Sequence, residues 1–342
     1  MTLDTAEAAG SPPPSDLAKS SVGNRVQHIL HAHPSFGPLV VLVVSAIVFD
    51  LLNSRFFSAA NLSIMLQEVA VIGLLALGQT VIILTAGIDL AVGAAMILAQ
   101  MVMAGLAITS GWPVVLALGA GLVVALATGL VDGLLVTRFK VPPFIGTLGT
   151  LGVFTALGLL YANGQTLNPL PGSLLLWPGN LIQIGSFSLM TGVIVMLALY
   201  GIVGYALGRT AWGKHVYAVG DDPEAARLVG INTARLLLSV YVLAGLIYGI
   251  AAWVQIGRVG DASTNISSTL NLDSITAAVI GGVSLFGGRG IVLGTLFGAL
   301  IVQVFQNGLA LAGVQDLYQQ LAEGVLVIAA VAVDQWIRKV RT

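Results

Sequence analysis

Cysteine is absent from the 342 residues, which excludes a disulfide framework, a thiol-ligated metal and a thiol nucleophile. Charge is scarce as well. Asp, Glu, Lys and Arg make up 8% of the chain, against about 25% in water-soluble domains, and a soluble globule is excluded on that ground. The 14 basic and 15 acidic residues leave a net charge of -1, so no bulk attraction to nucleic acid follows. Three of the four histidines, His28, His31 and His33, cluster ahead of the first apolar run. No carboxylate or thiol accompanies them as a closed metal site would want, and no metal is expected. Residues 1–35 also lack the apolar core of a signal peptide and hold a Ser/Pro cluster between Ser11 and Ser15. They are expected to form a flexible cytoplasmic tail that is not cleaved.

What is present is apolar. Hydrophobic residues make up 57% of the chain, with a mean hydropathy of +0.97. Solid apolar runs recur near 38–53, 62–85, 89–109, 113–136, 143–162, 188–208, 236–256, 273–286, 290–312 and 317–336. A run of about 20 residues crosses about 30 Å of hydrocarbon as a helix, whereas barrel strands would alternate apolar and polar residues. The expected fold class is therefore all-α, a polytopic membrane helix bundle of about ten transmembrane helices, with 36–342 as its transmembrane domain. Lys19, Arg25, Arg138, Lys140, Arg209, Lys214, Arg227, Arg235, Arg289, Arg338, Lys339 and Arg341 fall on one side of this scheme, and only Arg55 and Arg258 on the other. By the positive-inside rule both termini and the 209–235 loop are cytoplasmic, and the 163–186 loop is external.

Within 209–235, Asp222, Pro223, Glu224, Ala225, Ala226, Arg227, Leu228, Val229 and Gly230 read as a short free-standing helix. Asp222 suits the cap, Pro223 the first helical position, Glu224 the positive end of the dipole and Gly230 the left-handed stop. Ala225, Leu228 and Val229 share one face, and two turns are not stable unpacked. That face packs either on its own bundle or on another protein. Upstream, GRTAWGKH (Gly208 to His215) matches a phosphate-binding loop only in part, because His215 replaces the magnesium-binding hydroxyl and no strand precedes it. Around Ser284 the sequence GVSLFGG departs from the Gly-x-Ser-Gly form and no histidine lies nearby at membrane depth; no catalytic constellation is read, so an enzyme is not expected.

Each ionisable residue in or beside the spans is a functional suspect, since an unpaired charge in hydrocarbon costs several kcal/mol. Asp50, Asp132, Asp316 and Glu323 are expected near span ends. Asp89 lies in TAGIDLAVG, where Gly87 and Gly93 weaken a long apolar stretch, and a second broken stretch runs from Asn271 to Gly290. Paired interruptions in the two halves point to a midplane pathway, while close packing through small residues accounts for many of the 42 glycines. The candidate pathway residues are Gln79, Thr85 and Asp89 on the first broken, re-entrant stretch and Asn271 and Asp273 on the second.

GQTVIILTAGIDLAVGA (Gly78 to Ala94), VPPFIGTLGTLG (Val141 to Gly152), GRTAWGKHVYAVGDDPEAARLVGI (Gly208 to Ile231) and ITAAVIGGVSLFGGRGIVLGTLFGAL (Ile275 to Leu300) resemble the ribose-type sugar permeases of ABC importers, in order across nearly the whole chain. AVGDDPEAARL and AVAVDQWIRKV look most like the fructose/mannose/ribose branch. The resemblance implies an ABC importer permease fold in the bacterial inner membrane that translocates a monosaccharide. It also implies a second permease copy, a cytoplasmic ABC ATPase that uses ATP and magnesium, and a periplasmic sugar-binding protein, with no cofactor on this chain. Asp222 through Gly230 match the family's coupling helix, which sits in a groove of the ATPase. Ala91, Gly146 and Asn271 depart from the family pattern, where Ser, Val and an acidic residue are common. An ion-coupled secondary transporter, using buried carboxylates such as Asp89, is the alternative class.

Overall fold

A computed structural model describes residues 36–168, 173–264 and 269–339; the tail of 1–35, with its three histidines, lies outside the described residues. The first half of the chain forms α1 (Phe36–Leu52), α2 (Ala59–Ile83), α3 (Val92–Ile108), α4 (Val114–Thr137) and α5 (Pro143–Tyr161). A cap follows, made of α6 (Ser173–Leu176), a 3-10 turn at Trp177–Gly179 and an antiparallel hairpin of β1 (Leu181–Ile184) and β2 (Phe187–Met190). The second half holds α7 (Thr191–Arg209), α8 (Ala211–Asp221), α9 (Pro223–Leu228), α10 (Thr233–Val259), α11 (Leu270–Ile280), α12 (Val292–Leu311) and α13 (Asp316–Lys339). Among the described residues the fold is all-α apart from one two-stranded hairpin.

Local chemistry sets the boundaries. The Ser58 side chain accepts from Asn61 N at the start of α2, Pro143 opens α5, and α10 begins at an Asn232 cap and stops at Gly260 with φ +82. Among the described residues, α2, α4, α5, α7, α10 and α12 are long and apolar enough to cross a membrane. α1 and α3, at 17 residues, rise about 26 Å each. The expectation of a span over 273–286 is corrected: α11 stops at Ile280 after 11 residues, about 16 Å. A loop rich in left-handed glycines, Gly282, Gly287, Gly288 and Gly290, then turns the chain into α12.

α2 is the hub. Every residue from Val69 to Thr85 is buried, as a helix apolar all round should be, and it packs against α7, α10, α11 and α12. By contrast α4 and α5 turn Val115, Leu116, Val123, Phe144, Ile145 and Leu148 outward, an apolar face suited to lipid. Small residues let backbones touch where helices cross. A Cβ at Gly245 on α10 would meet Ala125 O on α4, and one at Gly298 on α12 would meet Ala277 O on α11. α11 and α12 thereby form a tight hairpin. The cap closes over the end of α10, where the Trp177 ring stacks on Trp253 at 5.8 Å and Trp253 Nε1 donates to Leu174 O at 3.0 Å.

Candidate functional site

A cavity of about 550 Å³ opens at the end of the bundle opposite α8 and α9. Its lining comes from α2, α3, α10, α11, α12, α13 and the segment after α10, and it holds six glutamines: Gln100, Gln255, Gln303, Gln306, Gln319 and Gln320. An amide both donates and accepts, so such a wall matches hydroxyl groups of either polarity. Glu68 on α2 faces Arg258 at the end of α10, with Nη1 3.8 Å from Oε1. Gln303 donates to Glu68, and Arg258 Nε donates to Gln255 Oε1 at 3.2 Å. Three helices are thus tied across the cavity wall by one polar network. Asp273, near the start of α11, and Glu323 of α13 add two carboxylates to the lining. Among the described residues, the buried amide oxygens of Gln100 and Gln303 have no hydrogen-bond partner in the protein.

The expected pathway residues are not all brought together. Asp273 lines the cavity, and Asn271 sits two residues before it, its Oδ1 accepting from Gly93 N at the start of α3 at 2.7 Å. Gln79, Thr85 and Asp89 lie instead towards the end of α2 that meets α8, and none of them lines the cavity. Asp89 is 2% exposed and accepts from Ala91 N at 2.7 Å, closing the turn that starts α3. With its amide oriented to match, Gln79 donates to Asp89 O and accepts from Asp89 N, both at 3.2 Å. Leu90 N donates to Thr147 Oγ1 on α5 at 3.1 Å. Asp89 therefore holds the first broken stretch in shape. Asp132, expected near a span end, is buried inside the bundle and accepts from Thr150 Oγ1 at 2.6 Å. Glu323, expected likewise, belongs to the cavity.

The two broken stretches meet at that same end. Gly288 N donates to Leu84 O at 3.0 Å, and Ala86 adopts φ +59, a left-handed conformation that costs a non-glycine residue about 1 kcal/mol or more and persists only where its surroundings impose it. GRTAWGKH forms the end of α7 and the first half of α8, not a phosphate loop: Thr210 caps α8 by accepting from Gly213 N at 3.3 Å. Tyr217 Oη on α8 donates to Gly290 O at 2.9 Å, and burial pushes its pKa up, so it stays a neutral donor. In α9, Asp222 Oδ1 accepts from Glu224 N at 2.9 Å and Ala225 N at 3.0 Å, and Gly230 sits at φ +92. Ala226 is buried, whereas Ala225, Leu228 (85% exposed) and Val229 (79% exposed) point away from the bundle.

Residues 61–331 match the family described as branched-chain amino acid transport system / permease component. The fructose import permease protein FrcC of Rhizobium meliloti is 47% identical over 95% of this chain and 92% of that one. The ribose import permease protein RbsC of Bacillus subtilis (strain 168) is 37% identical over 87% of this chain and 92% of the relative. The chain belongs to the ribose-type permeases of ABC importers. The galactose/methyl galactoside import permease protein MglC of Escherichia coli (strain K12) is also similar, 32% identical over 87% of this permease and 93% of that one. No solved structure matches.

This permease is thus a multi-pass membrane protein whose relatives are transport subunits, not enzymes. Sequence reading missed the glutamines of its cavity. A signal existed, because Gln100 and Gln255 are lone amides inside apolar helices and Gln303 shares its helix with Gln306 and Asn307, and polar groups in such helices face the bundle interior. Of the departures from the family pattern, Asn271 supplies the acceptor for Gly93 N without a charge, and a side chain at Gly146 would meet Val141 at an ordinary 3.6 Å.

Proposed function

We propose that this permease translocates a neutral monosaccharide, fructose- or ribose-like, inward across the inner membrane, as one of two copies driven by a cytoplasmic ABC ATPase and supplied by a periplasmic sugar-binding protein. The cavity carries this reading. Thirteen of its seventeen lining residues are polar or charged, whereas a branched apolar side chain would call for an apolar pocket. The glutamine amides of that lining, each able to donate and to accept, suit the hydroxyl groups of a sugar. ATP and magnesium act on the partner ATPase, whose closure moves the α9 helices of both copies and switches the cavity between outward and inward openings. In proteoliposomes carrying the assembled importer, ATP-dependent uptake of fructose or ribose is the expected result. Uptake of leucine with neither sugar transported overturns the assignment.

Asp273 of α11 is one of the carboxylates that line the cavity. A hydrogen bond to a charged group is worth about 1.5–3 kcal/mol, so Asp273→Ala should lower the initial uptake rate by roughly ten-fold or more, with normal complex assembly. Unchanged uptake rates across a sugar titration would remove Asp273 from the pathway.

The sidedness follows from charge. Arg138, Lys140, Arg209, Lys214 and Arg235 gather with α8 and α9 at one end of the bundle, which the positive-inside rule makes cytoplasmic, so that the cavity opens outward. The native chain has no cysteine, so single cysteines report this directly. In intact spheroplasts an impermeant maleimide should label Ser186→Cys and spare Leu228→Cys; the opposite pattern inverts the scheme.

A further inference from the structure

The geometry points to Gly220 and Tyr217 of α8 as positioning residues for transport, forming a backbone joint through which displacement of α9 reaches two of the helices that line the cavity, α11 and α2. This rests on the reading of α9 as the ATPase-facing helix. Three segments meet at the joint. A Cβ placed on Gly220 would fall on Leu84 O at the end of α2, 2.6 Å from Gly288 N and 2.9 Å from Leu84 C. One on Gly287 would lie 2.6 Å from Gly220 O and 2.8 Å from Ala86 N, and one on Gly288 would lie 2.9 Å from Asp221 Cβ. Nearly all of these neighbours are backbone atoms, so no side chain can swing aside to make room. Two hydrogen bonds fasten the same place, from Gly288 N to Leu84 O at 3.0 Å and from Tyr217 Oη to Gly290 O at 2.9 Å.

What hangs from the joint gives it its role. α8 ends at Asp221 and the next residue, Asp222, caps α9, so the two short helices share a boundary with no slack between them. On the far side, Gly288 and Gly290 belong to the turn of the α11–α12 hairpin, whose helices touch backbone to backbone at Gly281 with Gly294 and at Gly298 with Ala277. Such a hairpin moves as one body. Its opposite end carries Asp273 at the cavity and Asn271 on Gly93 N. Leu84 likewise ends α2, which carries Glu68 in the cavity wall. A shift of α9 is thus handed, through Gly220, to the elements that hold Asp273 and Glu68.

The test uses the complete importer in proteoliposomes, with radiolabelled fructose and ribose as probes, and follows ATPase co-purification, ATP hydrolysis and uptake together. Gly220→Ala forces the joint apart without touching α9's exposed face. The expected result is normal ATPase association and continued hydrolysis, with sugar taken up per ATP lower by about ten-fold or more. A conformational readout that needs no sugar accompanies it. Labelling of Gln306→Cys by an impermeant maleimide should change on adding a non-hydrolysable ATP analogue in the wild-type background and stay constant with Gly220→Ala. Tyr217→Phe removes one hydrogen bond and adds no bulk; it should shift both readouts in the same direction, and it decides the matter if Gly220→Ala does not assemble. Wild-type uptake per ATP and a normal labelling change in the assembled variants overturn the joint. Failure of the underlying reading looks different, because Ala225→Arg would then keep both ATPase association and uptake.

Discussion

Ala225→Arg is expected to abolish ATP-driven uptake while the permease inserts and folds normally. α9 is too short to be stable alone, yet the chain holds it in place by the Asp222 cap, the left-handed Gly230 and the buried Ala226. Its other face, Ala225 with Leu228 and Val229, is apolar and has no packing partner among the described residues. Supporting an unpaired apolar face with three separate devices makes sense if the face seats in a groove of another protein. A guanidinium at 225 would overfill such a groove and strip water from a charge, costing about 3 kcal/mol or more, or roughly 100-fold in association. In the permease alone the same side chain points to water, where substitutions change stability by about 0.5 kcal/mol or less. Size-exclusion profiles of the permease should be unchanged, and the ATPase should fail to co-purify. Glu224→Ala should be milder, because a charge near a helix start is worth about 0.3–1 kcal/mol. Wild-type association and uptake by Ala225→Arg would show that α9 is not the coupling element.

Gly245→Val should cost the fold itself. α10 and α4 cross at Gly245 and Gly129, where a Cβ on Gly245 would meet Ala125 O and lie 3.1 Å from both the Cα and the N of Gly129. The obstacles are backbone atoms, so relief requires the helices to separate along a seam that also contains Gly249 and Ala125. Overpacking of a flexible site costs about 1–3 kcal/mol; a backbone seam should lie at or above the top of that range. Detergent-solubilised protein is expected to lose its monodisperse peak and unfold at a markedly lower temperature. Gly152→Val is the control. A Cβ there meets nothing within 4 Å among the described residues, and that variant should behave as wild type. Equal thermal stability of the two would refute close approach of α4 and α10.

Hydropathy alone was enough to read a helical membrane bundle, because the apolar runs that cross hydrocarbon are local features of the chain. The short helix α9 was equally legible. Its cap, its proline, its acidic first turn and its glycine stop act within a few residues of one another, and the structure places α9 at Pro223–Leu228 as they specify. The resemblance to sugar permeases was carried by four long motifs, and the relatives bear it out.

Tertiary structure decided the rest. Asp132 has the same local sequence signal whether it reaches headgroups or accepts from Thr150 inside the bundle; only the packing of α4 on α5 separates the two. Asp89 and Asp273 both sit beside glycine-interrupted stretches, yet one secures the turn between α2 and α3 while the other lines a cavity. The six glutamines are spread over four helices and the start of none reveals their meeting point. Periodicity and propensity report on residues within a turn or two, whereas a polar cavity and a glycine joint arise from which backbones approach closely enough to touch. That approach is set by small residues acting in pairs across helices, and a single chain read in order does not say which glycine faces which.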